Sequence, residues 1–103
     1  MTKIVYFELF KEDLLEIYNY IHDVLCNEIA ADNFVKAVDE AIVNRSLFPF
    51  AAEPYPSKKK RECNYYRIYV DNYIILYIVI KGDPNIMKIQ RIVYAGRNIV
   101  IWA

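Results

Sequence analysis

Tyr73-Ile74-Ile75-Leu76-Tyr77-Ile78-Val79-Ile80 decides the fold. The run carries no charge, is rich in β-branched and aromatic side chains, and at eight residues is too short to cross a membrane. It reads as a central strand, apolar on both faces. After it, Lys81-Gly82-Asp83-Pro84-Asn85 is a turn, and Met87-Lys88-Ile89-Gln90-Arg91-Ile92-Val93-Tyr94 is the next strand. Before it, Asp71-Asn72 is a two-residue hairpin turn, since both residues tolerate left-handed geometry. The strand preceding that turn is Tyr65-Tyr66-Arg67-Ile68-Tyr69-Val70. Alternation puts Arg67 and Tyr69 on one of its faces and Tyr66, Ile68 and Val70 on the other.

Further upstream, Pro49, Pro54 and Pro56 make residues 49–64 a loop that carries Glu53 and the run Lys58-Lys59-Lys60-Arg61. Two helices precede it. Glu28 to Ser46 has its apolar face at Ala30, Phe34, Ala37, Val38, Ala41 and Ile42. Glu12 to Cys26 has its own at Leu14, Ile17, Tyr18, Ile21, Val24 and Leu25, leaving Glu12, Asp13, Glu16 and Asp23 on or near the outer side. Asn27 suits a cap between them. Lys3 to Leu9 reads as a short strand, and the tail from Ile99 to Ala103 is open between a helical turn and an edge strand. The order β-α-α-β-β-β predicts an α+β fold in one domain over residues 1–103. A helical hairpin packs on one face of a small, mainly antiparallel sheet, with Arg67 and Tyr69 on the face it leaves bare.

Composition narrows the function. Hydrophobic residues make up 56% of the chain and there are only two glycines, which argues for an ordered core and against disorder. The apolar stretch Ile4 to Phe10 is seven residues long and contains Glu8, unlike a signal peptide, so a cytoplasmic protein with no membrane partner is expected. Cys26, Cys63 and the sole histidine, His22, do not have the number or spacing of a metal site; reduced thiols and no cofactor are expected. A single helical histidine also argues against a Ser/Cys–His hydrolase. The zero net charge hides an asymmetry: residues 1–54 hold four Lys/Arg against ten Asp/Glu, a net −6, and residues 55–103 hold nine against three, a net +6. Either the basic half serves a polyanion or the two halves neutralise each other across the fold.

The strings Asp13-Leu14, Asn27-Glu28-Ile29-Ala30-Ala31, Phe48-Pro49, Tyr66-Arg67, Asp71 to Tyr77 and Arg91-Ile92-Val93-Tyr94-Ala95-Gly96-Arg97-Asn98, in this order, resemble the RelE/ParE superfamily of bacterial toxins. The resemblance spans nearly the whole chain. It implies a type II toxin, as in plasmid-stabilisation systems, held inactive by a cognate antitoxin in a toxin–antitoxin hetero-oligomer. RelE-like members cut mRNA on the ribosome without a metal, and ParE-like members poison DNA gyrase. The cleavage reading is expected first, with gyrase poisoning and a non-catalytic antitoxin-binding relative as alternatives.

Metal-free RNA cleavage needs cations converging on one phosphate beside an acid and a base. The resemblance points to Arg67, Arg91, Arg97 and Tyr94 as catalytic, with Glu53 as general base. Lys58, Lys59, Lys60, Arg61 and Tyr69 would hold RNA. Two departures stand out. Ile74 replaces the arginine that RelE-like nucleases carry after the tyrosine of this string, and Tyr69 replaces the second of a lysine pair. Each candidate also has a structural reading. Arg91 shares strand parity with Met87 and Ile89 and would pair with an acid such as Glu8. Arg67 would stack on Tyr69 or another tyrosine, Tyr94 would be core, and Glu53 solvated. Exposed tyrosines on the sheet would equally make a groove for an antitoxin segment.

Overall fold

The computed structural model of the chain describes residues 2–50, 54–55 and 65–95. Strand β1 (Thr2–Tyr6) leads into helix α1 (Glu8–Asn19), which continues as a π-helical turn, Tyr20–Val24. Helix α2 (Glu28–Ser46) follows, then the two-residue β2 (Pro54–Tyr55), β3 (Tyr65–Val70), β4 (Tyr73–Ile80) and β5 (Asn85–Tyr94). The sheet order is β1-β5-β4-β3-β2, so the uncharged run is its middle strand. Both neighbours of β4 run antiparallel to it. β1 lies parallel to β5, which the intervening helical hairpin makes possible by carrying the chain back over the sheet.

One face of the sheet buries Ile68, Val70, Ile75, Tyr77, Val79, Met87, Ile89 and Ile92 against Phe10, Phe34, Val38 and Ile42 of the helices. On the other face Ile74, Leu76 and Val93 form a smaller buried cluster. The middle strand is therefore apolar on both sides, and the α+β architecture expected from the sequence is the one observed. Asp71 takes φ 52° in the β3–β4 turn, the left-handed geometry expected of that position. No helix is long and apolar enough to cross a membrane among the described residues.

Four local expectations are corrected. The first strand stops at Tyr6 rather than Leu9, because Phe10 is needed in the core and reaches it with Leu14, Ile17 and Ile21 only on a helix begun at Glu8. Residues 20–24 form a π turn, in which the Leu25 amide donates to the Tyr20 carbonyl five residues back. The extra residue turns Val24 and Leu25 away from the core, and they are exposed. In α2, Ala31 rather than Ala30 is the fully buried alanine. Within the proline-rich loop, Pro54 and Tyr55 pair with Tyr66 and Tyr65 as an edge, where a proline lacking a donor is tolerated.

Asn27 starts α2 as the sequence suggests: its side-chain oxygen accepts from the Ala30 amide at 2.9 Å. Asn27→Ala is expected to destabilise the fold by about 1 kcal/mol and to lower the melting temperature by roughly 4–8 °C. Asn27→Asp should melt with the wild type. Thermal unfolding followed by circular dichroism reads both; equal melting of the alanine variant would show that the cap is idle.

Candidate functional site

The site forms where α1 passes the end of β5. β1 covers the edge of β5 only from Asn85 to Ile89, and the Phe7 amide closes this stretch by donating to the Ile89 carbonyl. From there the edge is left to α1. Gln90 is a β-bulge: Ile89 faces Tyr77 while Arg91 faces Leu76, so one residue of β5 has no counterpart on β4. The bulge reverses the alternation. Arg91 falls in step with Val93 rather than with Met87 and Ile89, and the expected shared parity with those two is overturned.

Arg91 meets an acid, but not Glu8. Its Nε donates to Asp13 Oδ2 at 2.8 Å and its Nη2 to Asp13 Oδ1 at 2.8 Å, a bidentate fork. The same carboxylate lies 3.4 Å from the Ile92 amide, at the edge β1 has vacated. Asp13 therefore faces inward, with its side chain 13% exposed against 25% for Arg91, and does not belong to the solvated outer side of the helix. The Asp13 contact holds the Arg91 guanidinium above its ordinary pKa, so it is charged under all working conditions. Glu8 instead pairs with Lys11 on the surface of the first turn.

A cleft of about 450 Å³ opens beside this pair. Asp13, Glu16 and Tyr20 form its helical wall, one turn apart along α1 and the start of the π turn; Arg91, Tyr94 and Tyr73 form its strand wall. Tyr73 and Tyr94 touch edge to face, ring centroids 5.6 Å apart, and Phe34 backs Tyr73 from the core at 5.1 Å. Tyr94 is 46% exposed, which overturns the reading of it as core.

On β3, Arg67 faces Leu76, so Arg67 and Arg91 flank one β4 residue in a single cross-strand row. Two strand spacings, about 10 Å, separate their backbones. Each guanidinium has a partner of its own. The Arg67 guanidinium lies over the exposed Tyr69 ring at 5.7 Å, the stack expected of the pair, while that of Arg91 is directed to Asp13. Ile74 is buried in the apolar cluster of this face and brings no charge to it. Glu53, Lys58, Lys59, Lys60, Arg61, Arg97 and Cys63 lie outside the described residues. His22 pairs with Asp23 at 2.7 Å and stacks on Tyr18 at the far end of the helical hairpin; the Asp23 contact raises its pKa.

Four side chains of the site and its support have no signal in the sequence. Asp13 as the partner of Arg91 carries no local signal, because 78 residues separate them. Glu16 and Tyr20 share a helical face with Asp13, which marks them only once Asp13 is known to face inward. Arg45 donates from Nη1 both to the Arg67 carbonyl and to the Tyr77 hydroxyl, each at 3.1 Å, and so ties α2 to β3 and β4.

The chain is similar to a solved protein described as the chromosomal ParDE TA system from P. aeruginosa, with 18% sequence identity, a TM-score of 0.69, and coverage of 91% of this chain and 96% of that one. At that identity the likeness speaks for the fold. The family model of the ParE toxin of type II toxin–antitoxin system, parDE, matches residues 4–99, and the chain belongs to that family. No curated protein sequence matches it significantly.

Proposed function

We propose that this toxin arrests growth as a poison of DNA gyrase rather than by cutting mRNA on the ribosome, and that a cognate antitoxin restrains it. One observation carries the choice: Arg91, one of the three arginines that the resemblance names for a cleaving phosphate, has its fork engaged by Asp13. A nuclease gains its rate from cations aimed at the place where charge develops, and a guanidinium neutralised by a partly buried carboxylate is a poor one. Ile74 at the position of the missing arginine points the same way. Membership of the ParE family supports the same target. In this reading Arg67 and the exposed Tyr69 belong to the surface that meets the target, and Arg91 and Asp13 hold that surface in shape.

Purified toxin added to gyrase and supercoiled DNA is expected to trap covalent gyrase–DNA complexes. Ribosomes programmed with mRNA should give no new 3′ ends. Discrete mRNA ends without trapped gyrase would overturn the proposal and return Arg67, Arg91 and Tyr94 to the catalytic roles that the sequence suggests.

A further inference from the structure

The cleft beside the Asp13–Arg91 pair has a charge and a shape to which the proposed function assigns no role. Among the described residues its walls carry two carboxylates, Asp13 and Glu16, against one guanidinium, that of Arg91. Arg91 is engaged by Asp13, and the exposed carboxylate of Glu16, which also acts on Arg91 through space, leaves the described lining net negative. Around it stand Tyr20, Tyr73 and Tyr94; the first and last are 49% and 46% exposed. Tyr20 opens the π-helical turn, a kind of helical irregularity frequent at functional sites. The edge-to-face contact of Tyr73 with Tyr94, backed by Phe34, holds the strand wall in place. Tyrosine faces attract a cation through the ring quadrupole, and a nearby carboxylate completes the attraction. An anion would meet Glu16 and find Arg91, the cation among the described lining residues, already engaged by Asp13.

We propose that this cleft is a receptor for the side chain of an arginine presented by a partner polypeptide. A guanidinium fits better than an ammonium, because its plane stacks on a ring while its edge donates to Glu16. At about 450 Å³ the cleft exceeds one guanidinium and leaves room for the flanking backbone. Beyond Ile89, β5 no longer pairs with β1, so its edge at Tyr94 borders the entrance. The inference does not depend on whether gyrase is the target.

The probe is N-acetyl-arginine amide, titrated into the full chain and followed through the ring resonances of Tyr20, Tyr73 and Tyr94 and the amide of Glu16. A fragment of this size should bind with a Kd on the order of 1 mM. The neutral citrulline analogue, matched in shape, should bind about tenfold more weakly or not at all. Glu16→Gln and Tyr94→Ala should each weaken binding by about threefold to fivefold, whereas Leu15→Ala, an exposed change outside the cleft, should not alter it. Equal binding of the citrulline analogue, a response centred elsewhere, no saturable response at about 50 mM, or AMP taking the same residues in place of the arginine amide would each overturn the proposal. Both substituted side chains are exposed, so the variants are expected to fold, and an unchanged affinity in Glu16→Gln counts against the site.

Discussion

Arg91→Ala should destabilise the toxin by about 2–3 kcal/mol, and Asp13→Ala by a similar amount. The pair sits between the burial extremes, with side chains 25% and 13% exposed, so the cost lies below that of breaking a fully buried pair and above that of a surface one. Removing either partner strands the other in partly desolvated surroundings, and losing Asp13 also takes the acceptor from the Ile92 amide at an edge that β1 does not cover. In a double-mutant cycle the Arg91→Ala/Asp13→Ala variant is therefore expected to cost little more than one single change, with a coupling of about 1.5–2 kcal/mol. Arg91→Lys keeps the charge but loses the fork, and should fall between wild type and alanine. Urea unfolding of the four proteins measures this. Additive single effects would mean that the contact contributes nothing to stability, and the case for a structural Arg91 would go with it. With a structural Arg91, toxicity of Arg91→Ala should fall in step with the folded fraction and recover on cooling, as a purely catalytic loss would not.

The strands and helices were legible because their signals are local and repeated. Alternation across Tyr65–Val70 separates Arg67 and Tyr69 from the buried Ile68 and Val70, and their stacking follows from being two residues apart on one face. The uncharged run from Tyr73 to Ile80 could satisfy its side chains only in the middle of the sheet. What escaped was set by single residues acting across long distances. Gln90 makes a bulge with no signature of its own, yet it changes the face on which every later residue of β5 falls. Without it Arg91 would point with Ile89 into the core. With it Arg91 emerges beside Leu76, within reach of Asp13. The acid is misplaced for a related reason: a helix begun at Glu12 leaves out Phe10, and Phe10 and Ile17, one turn to either side of Asp13, widen the core stripe to reach it. At the border of that stripe Asp13 meets the edge of β5. The convergence of cations that a nuclease demands depends on side-chain direction, which periodicity alone does not reach.

The largest effect is expected at Tyr77, where an apolar strand hides a polar atom. Its ring is wholly buried under the helices, stacked on Tyr66 at 5.5 Å. Its hydroxyl donates to the Pro49 carbonyl at 2.7 Å and accepts from Arg45 Nη1 at 3.1 Å. One atom thereby pins the exit of α2, the start of the loop that follows it, and, through the second bond of Arg45 to the Arg67 carbonyl, the strand that carries Arg67. Burial pushes the phenol above its ordinary pKa, so it remains a donor across the working pH range. Tyr77→Ala removes ring and network together and should cost about 4–5 kcal/mol, a large part of the stability of a domain this size. Tyr77→Phe separates the two contributions: it keeps the packing, leaves the Pro49 carbonyl without its donor, and should cost about 1–3 kcal/mol. The phenylalanine variant should also loosen α2 against the sheet, seen as faster amide exchange at Leu47 and Phe48 while the amides of β4 keep their protection. If Tyr77→Phe melts with the wild type, the hydroxyl network holds nothing, and packing alone positions the strand beneath Arg67.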